Sequence, residues 1–113
     1  MKSHTITFRE QDKNNFDAIK SGEKTIESRA GTGKYKEIEV GDEIVFECAG
    51  ETLSKTVKKI YHWASVEQMI EEVPLKSVIP WVKTVEEAKA VYASFPSYEE
   101  KIKEFGILGF ELE

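Results

Sequence analysis

Cysteine, long apolar runs and net positive charge are all in short supply in this chain of 113 residues. Each shortage removes a class of protein. The one cysteine, Cys48, excludes an intrachain disulfide. It ends the strand-like run Glu43-Ile44-Val45-Phe46-Glu47-Cys48, where it reads as a small core residue rather than a reactive thiol. No apolar run approaches the roughly 20 residues of a membrane span. The opening Met1-Lys2-Ser3-His4-Thr5 lacks the apolar segment of a secretory signal, so a cytoplasmic location is expected. There are no repeats, low-complexity tracts or linkers. No phosphate-binding loop, dinucleotide fingerprint or nucleophile elbow is present. His4, His62 and Cys48 show no ligand spacing, so neither metal nor cofactor is expected. With 16 Lys and Arg against 21 Asp and Glu, the net charge of −5 argues against a protein that coats extended duplex DNA.

What is present is an ordinary globular composition, 40% hydrophobic and 33% charged. The length fits one domain, residues 1–113, able to bury roughly two-thirds of its unfolded surface. A monomer is expected. The charge is uneven. Residues 1–36 carry eight Lys/Arg and five Asp/Glu, whereas residues 37–113 carry eight and sixteen. A local basic feature in an acidic whole suits one nucleotide or a short single strand better than a long helix.

Thr5-Ile6-Thr7-Phe8 alternates as a strand does. Glu10 to Ser21 reads as a helix that buries Phe16, Ala18 and Ile19 and stops at Gly22. Lys24 to Arg29 has strand alternation, with Lys24, Ile26 and Ser28 on one face and Thr25, Glu27 and Arg29 on the other. Ala30 to Lys34 reads as a loop and Val40-Gly41-Asp42 as a turn. Ala49 to Thr52 joins the strand Glu43–Cys48 to a long strand, Leu53 to Trp63, in which Leu53, Val57 and Tyr61 are in step. Ser65 caps a helix that Pro74 ends, and Thr84 with Glu87 forms a capping box for a helix through Phe95. A short helical piece spans Tyr98 to Phe105, and Ile107 to Leu112 closes the chain as a strand. The order β-α-β-β-β-α-α-β, with short turns between most strands, predicts an α+β fold with a mainly antiparallel sheet. Such a small sheet needs its edges closed or covered, and curling into a barrel does this.

The stretch Gly22-Glu23-Lys24-Thr25-Ile26-Glu27-Ser28-Arg29 resembles the signature of the ASCH family, a glycine followed by x-Lys-x-x-Glu-x-Arg. The Val40-Gly41-Asp42 turn, Phe95-Pro96-Ser97-Tyr98 and Gly106-Ile107-Leu108-Gly109-Phe110 fit the family in order and spacing. The resemblance implies a PUA-like β-barrel with flanking helices. It also implies a cleft beside the barrel where the Lys, Glu and Arg of the signature meet, and a partner that is RNA or a modified nucleoside.

Lys24 supplies a compact cation, Arg29 a planar fork and Glu27 an acceptor between them, a set that suits phosphate or carbonyl oxygens and an exocyclic amine. Without the resemblance the same strand reads as a surface strand with ordinary ion pairs. Tyr61 and Trp63 either offer a base a stacking face or alternate into the core. Tyr98 is a further candidate for the cleft. Trp81 reads as a packing anchor.

Two functions compete. The first is a binding module for RNA or a modified nucleoside. The second is a small hydrolase using Lys24 and Glu27 in the same cleft, either a ribonuclease or an N4-acylcytidine amidohydrolase. A small bacterial member of the family hydrolyses acylated cytidine with a Lys that activates a Thr, assisted by a Glu. Lys24 matches that Lys, but the Thr position is Glu27 here, and no Glu stands in the matching region Val78-Ile79-Pro80-Trp81.

Overall fold

The computed structural model describes residues 1–113. Five strands form one sheet: β1 (Ser3–Phe8), β2 (Ile26–Ala30), β3 (Glu43–Cys48), β4 (Glu51–Trp63) and β5 (Ile107–Leu112). Their spatial order is β1-β3-β4-β5-β2. Three of the four pairings are antiparallel, and β1 lies parallel to β3. The sheet curls into a half-barrel, so the α+β, PUA-like architecture expected from the resemblance is the one the chain adopts. Its edges, β1 and β2, are not bonded to each other. Closure is left to helices and side chains.

After β1 a single 3-10 turn (Glu10–Asp12) leads into α1 (Lys13–Ser21). Gly22 ends α1 at φ 87°, a left-handed cap that glycine adopts without Cβ strain. β2 begins at Ile26, two residues later than the alternation suggests, because Lys24 donates its amide to Ala18 of α1 and Thr25 donates to Ser77. Part of the expected loop after it is a short helix, α2 (Gly33–Lys36). The remaining helices are α3 (Val66–Glu72), α4 (Leu75–Val78), α5 (Val85–Ala93) and α6 (Tyr98–Phe105). The anticipated caps of α3 and α5 form: Gln68 N donates to Ser65 Oγ and Glu87 N donates to Thr84 Oγ1. No helix is long and apolar enough to cross a membrane.

The core has two parts. Ile6, Phe8, Phe16, Phe46, Leu108 and Phe110 pack within the half-barrel, while Ile26, Trp63, Met69, Val78, Tyr92 and Ile107 pack between the sheet and the later helices. β5 serves both and is buried on both faces. Gly109 permits this, because a Cβ there would stand 2.5 Å from two ring carbons of Trp63.

A register shift in β4 between Val57 and Lys59 alters which residues face inward. Leu53 and Val57 belong to the half-barrel part of the core, whereas Tyr61 and Trp63 belong to the helical part. Tyr61 is therefore out of step with Val57, contrary to the sequence alternation, because a bulge breaks the period of two.

Candidate functional site

A cavity of about 340 Å³ lies in the gap between the two edge strands. Thr7, Phe8 and Arg9 at the end of β1 form one side, and Glu27, Ser28 and Arg29 of β2 form the other. Asn15 of α1 and Lys24 contribute to the lining, as do Tyr92, Phe95, Tyr98 and Lys101 from α5, α6 and the link between them. That link turns sharply through Ser97, a non-glycine residue at φ 61°, and Tyr98 N donates to the Phe95 carbonyl. The two rings meet at 5.2 Å between centroids, tilted by 59°.

Lys24, Glu27 and Arg29 converge in the lining. Glu27 is opposite Phe110 and Arg29 opposite Leu108 across the β2–β5 pairing, so both lie on the half-barrel face. Lys24 joins them because it precedes the strand and is not bound by its alternation. Its Nζ is surrounded by three oxygens: Glu27 Oε1 at 3.1 Å, Asn15 Oδ1 at 3.1 Å and the Val78 carbonyl at 2.8 Å. The last is an end-of-helix carbonyl of α4, which a cation satisfies well. Glu27 Oε1 also accepts from Ser28 N at 2.9 Å, and Oε2 accepts from Arg29 at 3.3 Å. The Arg29 guanidinium lies over the rings of Phe8 and Tyr35, at 5.1 and 5.7 Å, and donates to the Tyr35 hydroxyl.

Burial sets the electrostatics. The Lys24 and Glu27 side chains are 2% and 3% exposed and Arg29 is 18% exposed. Desolvation pushes the Lys24 pKa down, and the neighbouring carboxylate only partly offsets it. Desolvation pulls Glu27 upward, but two cations and the Ser28 amide outweigh it and hold the carboxylate below its ordinary range. Arg29 is desolvated too, yet Glu27 keeps it firmly protonated. This is a buried cation–carboxylate–cation network, and no buried side-chain polar atom in the molecule lacks a partner.

The other expected site residues are divided. Tyr98 lines the cavity, and burial raises its pKa. Tyr61 and Trp63 do not line it. The β4 bulge turns them toward the helices, where they stack on each other at 5.0 Å. Tyr61 donates to Glu111 and the fully buried Trp63 donates to Glu72. Trp81 is 39% exposed, so it does not anchor the packing as expected. The aromatic lining comes instead from Phe8, Tyr92, Phe95 and Tyr98. Tyr92 shares a 2.5 Å hydrogen bond with the Ser28 hydroxyl, and burial raises its pKa. The Phe95-Pro96-Ser97-Tyr98 motif was the available pointer to two of these rings. Arg9 and Lys101 had none. No group of three His, Cys, Asp or Glu side chains is placed to hold a metal ion.

Comparison with known proteins adds family and fold. The ASCH domain pattern matches residues 12–112. The chain is 35% identical to the hypothetical protein PH0355, whose crystal structure superposes with a TM-score of 0.84 over 100% of this chain and 98% of that one. It is also 35% identical to protein PF0455 from Pyrococcus furiosus, whose NMR structure gives a TM-score of 0.77 over 100% and 96% of the two chains. No curated protein matches the chain.

Proposed function

The chain belongs to the ASCH domain family, and we propose that it is a binding module that takes RNA or a modified nucleoside into the cavity between β1 and β2. One observation carries this reading. In a chain of net charge −5, the cavity gathers four cations (Arg9, Lys24, Arg29, Lys101) against two carboxylates (Asp12, Glu27) beside a wall of aromatic rings. Cations attract phosphate and rings stack on bases, each stacked base contributing roughly 1–3 kcal/mol. A volume of about 340 Å³ is near the lower end of small-molecule sites, which suits one base rather than a duplex.

The competing reading is hydrolysis, and the lowered pKa of Lys24 speaks for it. Its surroundings speak against it. A general base needs a free lone pair with room to reach a substrate, whereas Lys24 Nζ is enclosed by three acceptor oxygens, which favour its charged form. Glu27 is likewise engaged at both oxygens. The Ser28 hydroxyl is paired with Tyr92, and Thr25 is exposed and outside the cavity lining.

An NMR titration with the four ribonucleosides, N4-acetylcytidine and short single-stranded RNAs tests the proposal. Amide shifts should cluster at Thr7–Arg9, Ser28–Arg29 and Tyr92–Lys101. Shifts scattered over the acidic helix surfaces, or none at millimolar ligand, would refute it. Turnover of acylcytidine or RNA, abolished by Lys24→Ala in a variant that still folds, would establish the hydrolytic reading instead.

A further inference from the structure

We propose that the cavity's own anion site is at its mouth, formed by Arg9 and Lys101, and that its ligand is therefore a phosphorylated nucleotide rather than a free nucleoside. The inference rests on the base-binding reading above and goes further, because it moves charge recognition away from the Lys24-Glu27-Arg29 signature.

Hydrogen-bonding capacity leads to this assignment. The signature cations are the more buried pair: the donors of Lys24 are spent, and Arg29, 18% exposed, keeps some donors but is held against Glu27. Lys24 is 2% exposed and surrounded by three oxygens, and Arg29 is bonded to Glu27 and Tyr35. An entering phosphate would have to compete with Glu27, itself 3% exposed and already neutralised by two cations. Breaking such a buried pair leaves an uncompensated charge, which is costly.

The mouth is different. The Arg9 side chain is 44% exposed, and only its Nε is engaged, donating to Asp12 Oδ2 at 2.6 Å. Its two terminal amino groups meet no protein acceptor, so the guanidinium still presents donors of fixed geometry. Lys101 is exposed, and its ammonium belongs to no ion pair or hydrogen bond. Each cation lies over one ring of the same aromatic corner. Arg9 is 5.3 Å from the Phe95 centroid and Lys101 is 6.0 Å from that of Tyr98. The corner that would stack a base thus carries the two exposed cavity cations, both with unspent donors. Asp12 offsets part of this charge, while its bond to Arg9 Nε fixes the guanidinium at the mouth.

Calorimetric titration tests the assignment, using ribonucleosides, their 5′-monophosphates and dinucleoside monophosphates. Wild-type protein should bind at least one phosphorylated class about tenfold or more tightly than the nucleosides. In the double variant Arg9→Gln/Lys101→Gln that ratio should fall below about threefold. Lys103→Gln, a cation of the same helix outside the cavity lining, should leave it unchanged. Preference for the monophosphates alone would identify a terminal phosphate, and preference for both classes a phosphate within a strand. Equal binding of nucleosides and nucleotides by wild type, or a ratio that survives the double substitution, would overturn the mouth site while leaving the base-binding pocket intact. Failure of every compound to bind would overturn both.

Discussion

Removing the Glu27 carboxylate should cost more than removing any of the rim cations. Glu27→Gln leaves Lys24 as a buried cation without its counter-charge, a type of change that typically destabilises by about 3–5 kcal/mol. Urea unfolding of the variant checks this. Lys24→Met/Glu27→Met should lose much less than the sum of the two single replacements, since neither charge is then stranded. The same residue contributes to the pH dependence. Glu27 and Asp42 are both held below their ordinary values of 4.5 and 3.8, Glu27 by Lys24 and Arg29, Asp42 by hydrogen bonds from the Lys2 and Glu39 amides and His4. A lowered folded-state pKa gives stability that is complete above the unfolded value and lost as pH falls through the folded one. The unfolding midpoint should therefore be level near neutrality and drop below about pH 4.5, with a shallower drop in Asp42→Asn. A midpoint unchanged down to pH 2 would contradict these pairings. Lys24, Glu27 and Arg29 could be picked out in the sequence because their motif is contiguous. Arg9 and Lys101 could not, since 92 positions separate them and only the fold brings both to one cavity.

Helices whose ends are fixed by near neighbours were readable, and strand pairings were not. Ser65 and Thr84 cap as their spacing suggests, because a cap needs only the next three residues. Thr84→Ala should lower stability by about 1 kcal/mol. The bulge in β4 is invisible locally, because it is defined by the pairing with β5 some 50 residues away. For that reason Tyr61 and Trp63 face the helices and not the cavity. The parallel pairing of β1 with β3 is equally non-local. Gly109 records the resulting crowding. Gly109→Ala would drive a methyl group into the Trp63 ring, so a loss of at least roughly 1–3 kcal/mol and a shifted tryptophan emission are expected. An unperturbed emission and an unchanged midpoint would mean that the ring does not lie on the strand.

The sheet stays open as a half-barrel, and the opening is where the cavity lies. The curl was foreseeable from the need to close or cover the edges of a small sheet, although only β3 and β4 are joined by a short antiparallel turn. The gap between β1 and β2 depends instead on how α1, α5 and α6 fill the seam. The charge distribution follows the same division, with basic side chains gathered at the seam of an acidic molecule. Binding of a short RNA should therefore depend only mildly on salt. Two phosphate contacts would give a slope of log affinity against log salt of roughly −1.4, far from the steep slope of a protein that coats nucleic acid. Where a bound base actually sits is read most plainly from intermolecular NOEs in a complex with a nucleoside 5′-monophosphate. Base protons should show NOEs to ring protons of Phe95 and Tyr98. NOEs to Tyr61 or Trp81 instead, with none to the seam aromatics, would contradict a base-binding cavity between β1 and β2.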